Sequence, residues 1–299
     1  MKKEEKKEKK EIEEKKEKGK KKLKLLPKIG IILLIIISSL YIYMHYIEPR
    51  MITINEQAIY NELIPESFIG TKIIHFSDIH FGRTTNEPEI KKIIAKIKET
   101  NPDIIVFTGD LFDPYINLSE NNINFLTEEL KTLNAPLGKY AIWGDNDYLN
   151  EEAYKNIMKN ASFRLLENEN TTIYNKDFTP IHLGGLGNIT KGYNNEADAI
   201  KKETPGFQIV LSHEPTSIYS LKGQCELILS GHSLGGLINF PGLKNITNKQ
   251  YVDKYLKGKF IEDNTVMIVN EGLGTETISL RFNNHPTINL YRLYKEKKS

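Results

Sequence analysis

A single cysteine, Cys225, in 299 residues excludes a disulfide within the chain and any cluster of thiolate metal ligands. It fixes no redox compartment. Tryptophan is as scarce: Trp143 is the only one, and its place in an apolar run just before Gly144 marks it as core. There is no internal repeat, and no low-complexity segment beyond the first 28 residues. A large net charge is also missing, but the overall +2 hides two unlike parts. Residues 1–28 contain 14 Lys and 7 Glu, a charge of +7, which leaves −5 for the remainder. A mildly acidic remainder argues against a nucleic-acid-binding face.

Residues 1–28 have too few apolar side chains to bury a core and read as a charged cytoplasmic tail, either disordered or a solvated helix. Ile29–Ile47 is the opposite kind of segment, without a Lys, Arg, Asp or Glu. As a helix its 19 residues would span roughly 28 Å, enough for a bilayer core. Tyr41, Tyr43 and Tyr46 crowd one end as an interfacial belt does. Lys20, Lys21, Lys22, Lys24 and Lys28 precede the run and only Arg50 closely follows it. The positive-inside bias therefore places the N-terminus in the cytoplasm and everything after about Pro49 outside. A transmembrane signal anchor in the cell membrane is expected; no small-x-small cleavage site follows to suggest a removable signal peptide. The expected organisation is a tail over 1–28, a transmembrane helix over 29–47 and a folded domain over 50–299.

Within that domain apolar strands alternate with helices. Met51–Asn55 reads as a first strand. Lys72–Phe76 is a buried strand ending in Ser77-Asp78-Ile79-His80, and Pro88–Thr100 has the apolar spacing of a helix. Asp103–Thr108 is a strand ending in Gly109-Asp110, Leu118–Leu133 a helix, and Lys139–Trp143 a strand ending in Gly144-Asp145-Asn146-Asp147. After a helix over Glu151–Lys159 come short strands at 164–166, 171–174 and 181–184. A further helix ends at Asp198–Lys202. Phe207–Leu211 leads into Ser212-His213, and Glu226–Leu229 into Gly231-His232. The last three strands, 259–261, 265–269 and 287–293, read as hairpin-like. In open α/β sheets the ligand site lies beyond the carboxyl ends of strands. The ends here supply Asp78, His80, Asp110, Asp145, His213 and His232. Three carboxylates and three imidazoles suit one or two divalent first-row metals such as Mn, Fe, Ni or Zn. His75, His182 and His285 are isolated and read as strand or loop residues and Asp113 as a loop cap, while Asn188 has two readings, a structural loop residue or one lining the cleft.

The order DxH, GD, GDND, SH and GH followed by GG resembles the calcineurin-like metallophosphoesterase superfamily, whose usual pattern is DxH…GD…GNH[DE]…H…GHxH. The resemblance covers about residues 50–295. Glu271–Thr275 and Arg281-Phe282 are similar to the tail of a membrane-anchored bacterial subgroup of phosphodiesterases and UDP-2,3-diacylglucosamine pyrophosphatases. It implies a four-layer α/β/β/α sandwich and phosphodiester or pyrophosphate hydrolysis by metal-activated water. The substrate would be a phosphorylated small molecule or a lipid-linked envelope compound. Asp110 would bridge two metals, Asp78 and His80 would hold the first, and Asp145, His213 and His232 the second. Asn146 stands where the resemblance implies a general-acid histidine, and Asp147 where an acidic residue orients it. Leu234 replaces a last implied imidazole. Those two departures leave a second expectation open, a catalytically silent relative that binds a phosphorylated ligand or scaffolds a membrane complex.

Overall fold

A computed structural model of the chain describes residues 2–82, 85–201, 205–242, 249–276 and 279–296. It divides into two compact units, Met1–Ile47 and Glu48–Ser299. The first is helical: α1, Lys2–Ile42, runs on into a π-helical turn over Tyr43–Ile47. Glu and Lys recurring three and four residues apart support a helix through the charged part, so the tail takes the helical of its two expected states. Pro27–Arg50, of mean hydropathy 2.0, is the one stretch among the described residues long and apolar enough to cross a membrane.

The second unit alternates strands and helices in the order β1 (Thr53–Asn61), β2 (Lys72–Phe76), α2 (Glu87–Glu99), β3 (Ile104–Phe107), α3 (Glu120–Lys131), β4 (Lys139–Ala141), α4 (Glu151–Asn160), β5 (Arg164–Leu165), β6 (Glu169–Ile173), β7 (Ile181–Gly185), α5 (Glu196–Ala199), β8 (Gln208–Ser212), α6 (Ile218–Leu221), β9 (Leu227–Ser230), β10 (Gly258–Glu262), β11 (Thr265–Val269) and β12 (Thr287–Lys295). These form two six-stranded sheets, ordered β1-β12-β2-β3-β4-β5 and β10-β11-β9-β8-β7-β6.

The central strands carry apolar residues on both faces, and the period of two sorts them. Ile73, Ile104 and Val106 meet Ile209, Leu211, Leu227 and Leu229 in a core between the sheets. The alternate residues Ile74, Phe76, Ile105 and Phe107 face outward under Ile90, Ile93, Ile94 and Ile97 of α2, Leu126 and Leu130 of α3, and Tyr154 and Ile157 of α4. On the other side Val210, Ile228 and Met267 pack against Ala199, Ile218 and Leu221 of the short helices. Helix, sheet, sheet, helix is the four-layer sandwich. Trp143 lies in the outer core, as expected, its ring 4.7 Å from that of Tyr148 and 4.8 Å from that of Tyr154. The start of α3 is capped reciprocally: the Asn122 amide donates to Ser119 Oγ at 3.2 Å and the Ser119 amide to Asn122 Oδ1 at 3.1 Å.

Three expectations need correction. The final strands are not a set of hairpins: β10 and β11 pair antiparallel, but β12 crosses to the other sheet, parallel to β1 and antiparallel to β2. The first strand runs to Asn61 rather than ending at Asn55. The helix expected to end at Asp198–Lys202 ends at Ala199; Lys202 lies outside the described residues.

Candidate metal centre

The strands β2, β3 and β4 are mutually parallel, as are β7, β8 and β9. Each group therefore releases its loops at one edge, and the two edges adjoin. Asp78 N donates to Gly109 O at 2.9 Å within the first sheet, and Gly231 N to His213 O at 3.0 Å within the second. His232 N donates across them to Asp78 Oδ2 at 2.9 Å. Four of the six expected ligand residues turn sharply here with positive φ: Asp78 at 50°, His80 at 49°, Asp110 at 60° and His232 at 66°. A non-glycine residue in that region costs on the order of 1–2 kcal/mol, and such strain clusters where side chains must be aimed rather than packed. Gly144 permits the closest approach: a Cβ there would lie 2.2 Å from both the amide nitrogen and Oδ1 of Asp110. Only a bare α-carbon lets the β3 and β4 loops touch.

One half of the site consists of Asp110, Asp145, His213 and His232, whose ligand atoms lie within 4.8 Å of one another. The ring tautomers follow from what each ring touches. His213 Nδ1 is 2.7 Å from the Thr108 carbonyl, and a carbonyl only accepts, so this nitrogen carries hydrogen and Nε2 offers a lone pair. His232 Nε2 is 2.9 Å from the Gln250 carbonyl, which leaves Nδ1 as the lone pair. These two nitrogens are 3.1 Å apart. Asp145 Oδ1 lies 3.0 Å from one and 3.2 Å from the other, and Asp110 Oδ2 is 3.5 Å from His213 Nε2. Two carboxylate oxygens and two imidazole lone pairs thus converge, the ring hydrogens turned away, an arrangement that repels itself unless a cation sits at its centre. A proton can play that part: burial alone would lower the pKa of His213, but the carboxylates of Asp110 and Asp145 outweigh it and raise it well above the usual imidazole value. Burial opposes ionisation of Asp145, yet its bonds to His213 and His232 lower its pKa.

The other half is Asp78, His80 and Asp110, all fully buried. His80 Nε2 lies 3.8 Å from Asp78 Oδ1 and 3.6 Å from Asp110 Oδ2. Asp78 Oδ1 and both nitrogens of His80 have no hydrogen-bond partner in the structure. Orphaned polar atoms at this depth are rare because each costs about 1–3 kcal/mol. A divalent ion between them would take Asp78 Oδ1 and the His80 nitrogen that faces the carboxylates, Nε2, as ligands, so both halves fit the metals that the sequence implies. Asp110 belongs to both.

Asn146 and Asp147 lie beneath and beside Asp110. Asn146 donates from its backbone to Asp110 Oδ1 at 2.9 Å and from Nδ2 to Oδ2 at 2.7 Å. Asp147 is fully buried. Its carboxylate accepts from the amides of Asp110 (2.9 Å), Gly144 (2.9 Å) and Leu111 (2.8 Å), holding the β3 and β4 loops together. Burial and the Asp110 charge push its pKa well up, against those backbone bonds. Leu234 is buried at φ 51° and brings no ligand atom. Asp113 accepts from Tyr115 N at 2.9 Å, the loop-capping bond expected of it. His75 sits between Tyr291 Oη (3.1 Å) and Thr108 Oγ1 (2.9 Å), and His182 beside Thr172 Oγ1 (3.3 Å). Asn188 is buried, its Oδ1 accepting from Lys191 N at 2.9 Å. Sequence reasoning missed the groups that orient the imidazoles, the carbonyls of Thr108 and Gln250, because a backbone carbonyl has no residue-type signature.

Comparison with known proteins agrees with this geometry. Residues 71–236 match the calcineurin-like phosphoesterase family. A metallophosphoesterase of Bacillus subtilis, YkuE, of uncharacterized activity, is 33% identical over 257 residues, covering 85% of this chain and 89% of that protein. The UDP-2,3-diacylglucosamine pyrophosphatase LpxG of Chlamydia trachomatis is 26% identical over 319 residues, covering 86% and 93%. A transmembrane protein with a metallophosphoesterase domain from Danio rerio is 26% identical over 236 residues, covering 74% of this chain and 52% of its own length. The fold and the site define a metallophosphoesterase, a hydrolase of phosphoester bonds that works with divalent metal ions. This chain belongs to the calcineurin-like phosphoesterase family.

Proposed function

We propose that this chain hydrolyses a phosphodiester or pyrophosphate bond in a lipid-linked or envelope substrate, from the outer face of a cell membrane in which Ile29–Ile47 anchors it. The unit over 50–299 is the catalytic domain, and the charged tail over 1–28 stays in the cytoplasm. The single observation carrying the hydrolase reading is the convergence of Asp110 Oδ2, Asp145 Oδ1, His213 Nε2 and His232 Nδ1, with the hydrogens of both imidazoles directed outward. The substrate class is supported by the apolar helix and by LpxG, a pyrophosphatase acting on a diacylated sugar nucleotide. The orientation is supported by the lysines that precede the helix.

Asp78 and His80 would hold one ion, Asp145, His213 and His232 a second, and Asp110 would bridge them. Nitrogen and carboxylate ligands without sulfur suit Mn, Fe, Ni or Zn. Bound there, such ions lower the pKa of a water and neutralise charge building on the phosphoryl oxygens. The residues themselves aim and tune. The carbonyls of Thr108 and Gln250 fix which nitrogen each histidine presents. Asp147 locks the loops that carry Asp110 and Asp145. Asn146 can donate to a phosphoryl oxygen but cannot titrate near neutrality, so it supplies no proton to the leaving oxygen. That favours bonds whose leaving group departs as a stable anion, as a phosphate does from a pyrophosphate.

The test is turnover by the full-length chain in detergent, loaded with Mn2+. Hydrolysis of bis(p-nitrophenyl) phosphate and of a UDP-linked diacyl sugar is expected. Asp110→Asn should lower kcat by more than about 100-fold, beyond what a residue merely orienting a ligand costs. The residues at 146 and 234 favour one other reading, a silent relative that binds a phosphorylated ligand or scaffolds a complex. Turnover indifferent to Asp110→Asn, or no retained metal, would establish that reading instead.

A further inference from the structure

Arg281 is a fully buried cation with no carboxylate among its hydrogen-bond acceptors. Its guanidinium spends its donors on backbone carbonyls: Nε to Gly274 at 3.2 Å, Nη1 to Asn284 at 3.1 Å, and Nη2 to Glu271 at 3.0 Å, Gly272 at 3.0 Å and Gly274 at 2.6 Å. Burying a guanidinium is expensive; the charges of Asp78, Glu271 and Glu48 offset part of that cost, while most of its hydrogen bonds are spent on gathering one loop.

That loop, Glu271–Gly274, is docked on the strand end that carries Asp78 and His80. Leu273 N donates to the carbonyls of Ser77 and Asp78, both at 3.1 Å, and Gly274 N to Asp78 O at 2.7 Å. The fit is tight enough that a Cβ on Gly274 would lie 2.1 Å from Ile79 O. Asp78 and His80 are the residues whose backbones sit at φ near 50°, and theirs are the orphaned ligand atoms. Positive φ at a non-glycine residue is strained, and the amides of Leu273 and Gly274 add to the bonds from Asp78 N to Gly109 O and from His80 N to Asp110 O that keep the strand end in it. Leu234 adds nothing to this half of the site, so it depends on just three side chains being correctly aimed. The field of Arg281 also acts on the Asp78 carboxylate.

We propose that Arg281 is a positioning residue: by clamping Glu271–Gly274 it holds Asp78 and His80 in their left-handed backbone and so preorganises the Asp78/His80/Asp110 half of the metal centre. This rests on the metal-binding reading above. A lysine could keep the charge but not the planar fork that reaches four carbonyl groups at once.

The experiment is Mn2+ binding to the full-length chain in detergent, by equilibrium dialysis with electron paramagnetic resonance, for the native protein, Asp78→Asn, His232→Ala, Arg281→Gln and Arg281→Lys. Cooperative thermal unfolding is followed in EDTA on the same samples. Both Arg281 variants should weaken, by about 10–100-fold, the same class of site that Asp78→Asn removes. The class removed by His232→Ala should keep its affinity, and unfolding in EDTA should stay cooperative. Equal weakening of both classes, affinities unchanged in both variants, or loss of the cooperative transition would overturn the proposal and leave Arg281 a general support of the fold. Rescue by lysine would overturn the fork argument and with it the proposal. If the native chain itself binds no Mn2+, the metal-centre reading falls first and this inference with it; native binding with indifferent Arg281 variants removes the inference alone.

Discussion

His75 shows how a residue outside the site still governs behaviour. Burial lowers its pKa from 6.5 to about 3. Between those values the unfolded chain binds a proton that the native one refuses, so stability falls as pH drops through the window, by up to about 1.4 kcal/mol per pH unit from this group. Going from pH 7 to pH 5 should cost about 2 kcal/mol, read as a fall in the urea midpoint. His75→Gln should flatten that part of the profile, whatever it does to the absolute stability. Asn146 offers a prediction about chemistry. Asn146→His restores a titratable group beside Asp110, and should raise kcat about 100-fold on phosphodiesters with poor leaving groups. On p-nitrophenyl esters, which need no proton on departure, it should change little. A uniform effect on both would show that position 146 acts on binding and not on proton supply.

At the scale of elements, what the sequence reveals depends on burial. The runs at Lys72–Phe76 and Thr265–Val269 were legible to the residue, because strands covered on both faces are written as apolar runs. β1 was half missed. It contains Asn55-Glu56-Gln57 and is an edge strand, paired with β12 alone and exposed along much of its length, so its composition resembles that of a loop. The partner of β12 was illegible for a different reason: apolar alternation says that a strand forms, not which sheet receives it. The six Asp and His residues stood out in the sequence because those types recur at successive strand ends, three of them (Asp110, Asp145 and His232) directly after glycine, and the structure brings their side chains together. The carbonyls that orient them, and the clamp built on Arg281, did not stand out, since both act through backbone atoms. The junction of the β3 and β4 loops gives a direct test. Gly144→Ala sets a methyl against the backbone and carboxylate of Asp110, and should cost about 1–3 kcal/mol in urea unfolding together with most of the bound metal. An alanine variant with native metal content would mean that the loops have more play than their spacing suggests.

For the whole molecule, the division at Glu48 is the feature to exploit. The first residue of the larger unit is itself tied into it, Glu48 Oε1 accepting from Asn284 N at 2.6 Å. A chain starting at Glu48 should therefore remain in the supernatant after ultracentrifugation and unfold cooperatively, whereas the full-length chain should sediment with membranes. In intact protoplasts, added protease should digest the larger unit and spare an epitope placed before residue 20. Protection of the larger unit instead would reverse the orientation proposed from the flanking lysines.

The parallel pairing of β1 with β12 bears on how the protein is made. Thr53 and Thr287, hydrogen-bonded through their hydroxyls, are 234 positions apart. At ribosomal speeds of about 5–20 residues per second, β1 waits roughly 10–50 seconds for its only neighbour. The same delay leaves one edge of β2 open. During that interval both β1 and one edge of β2 lack the strand that covers them in the finished sheet, so the first sheet closes only when the last strand arrives.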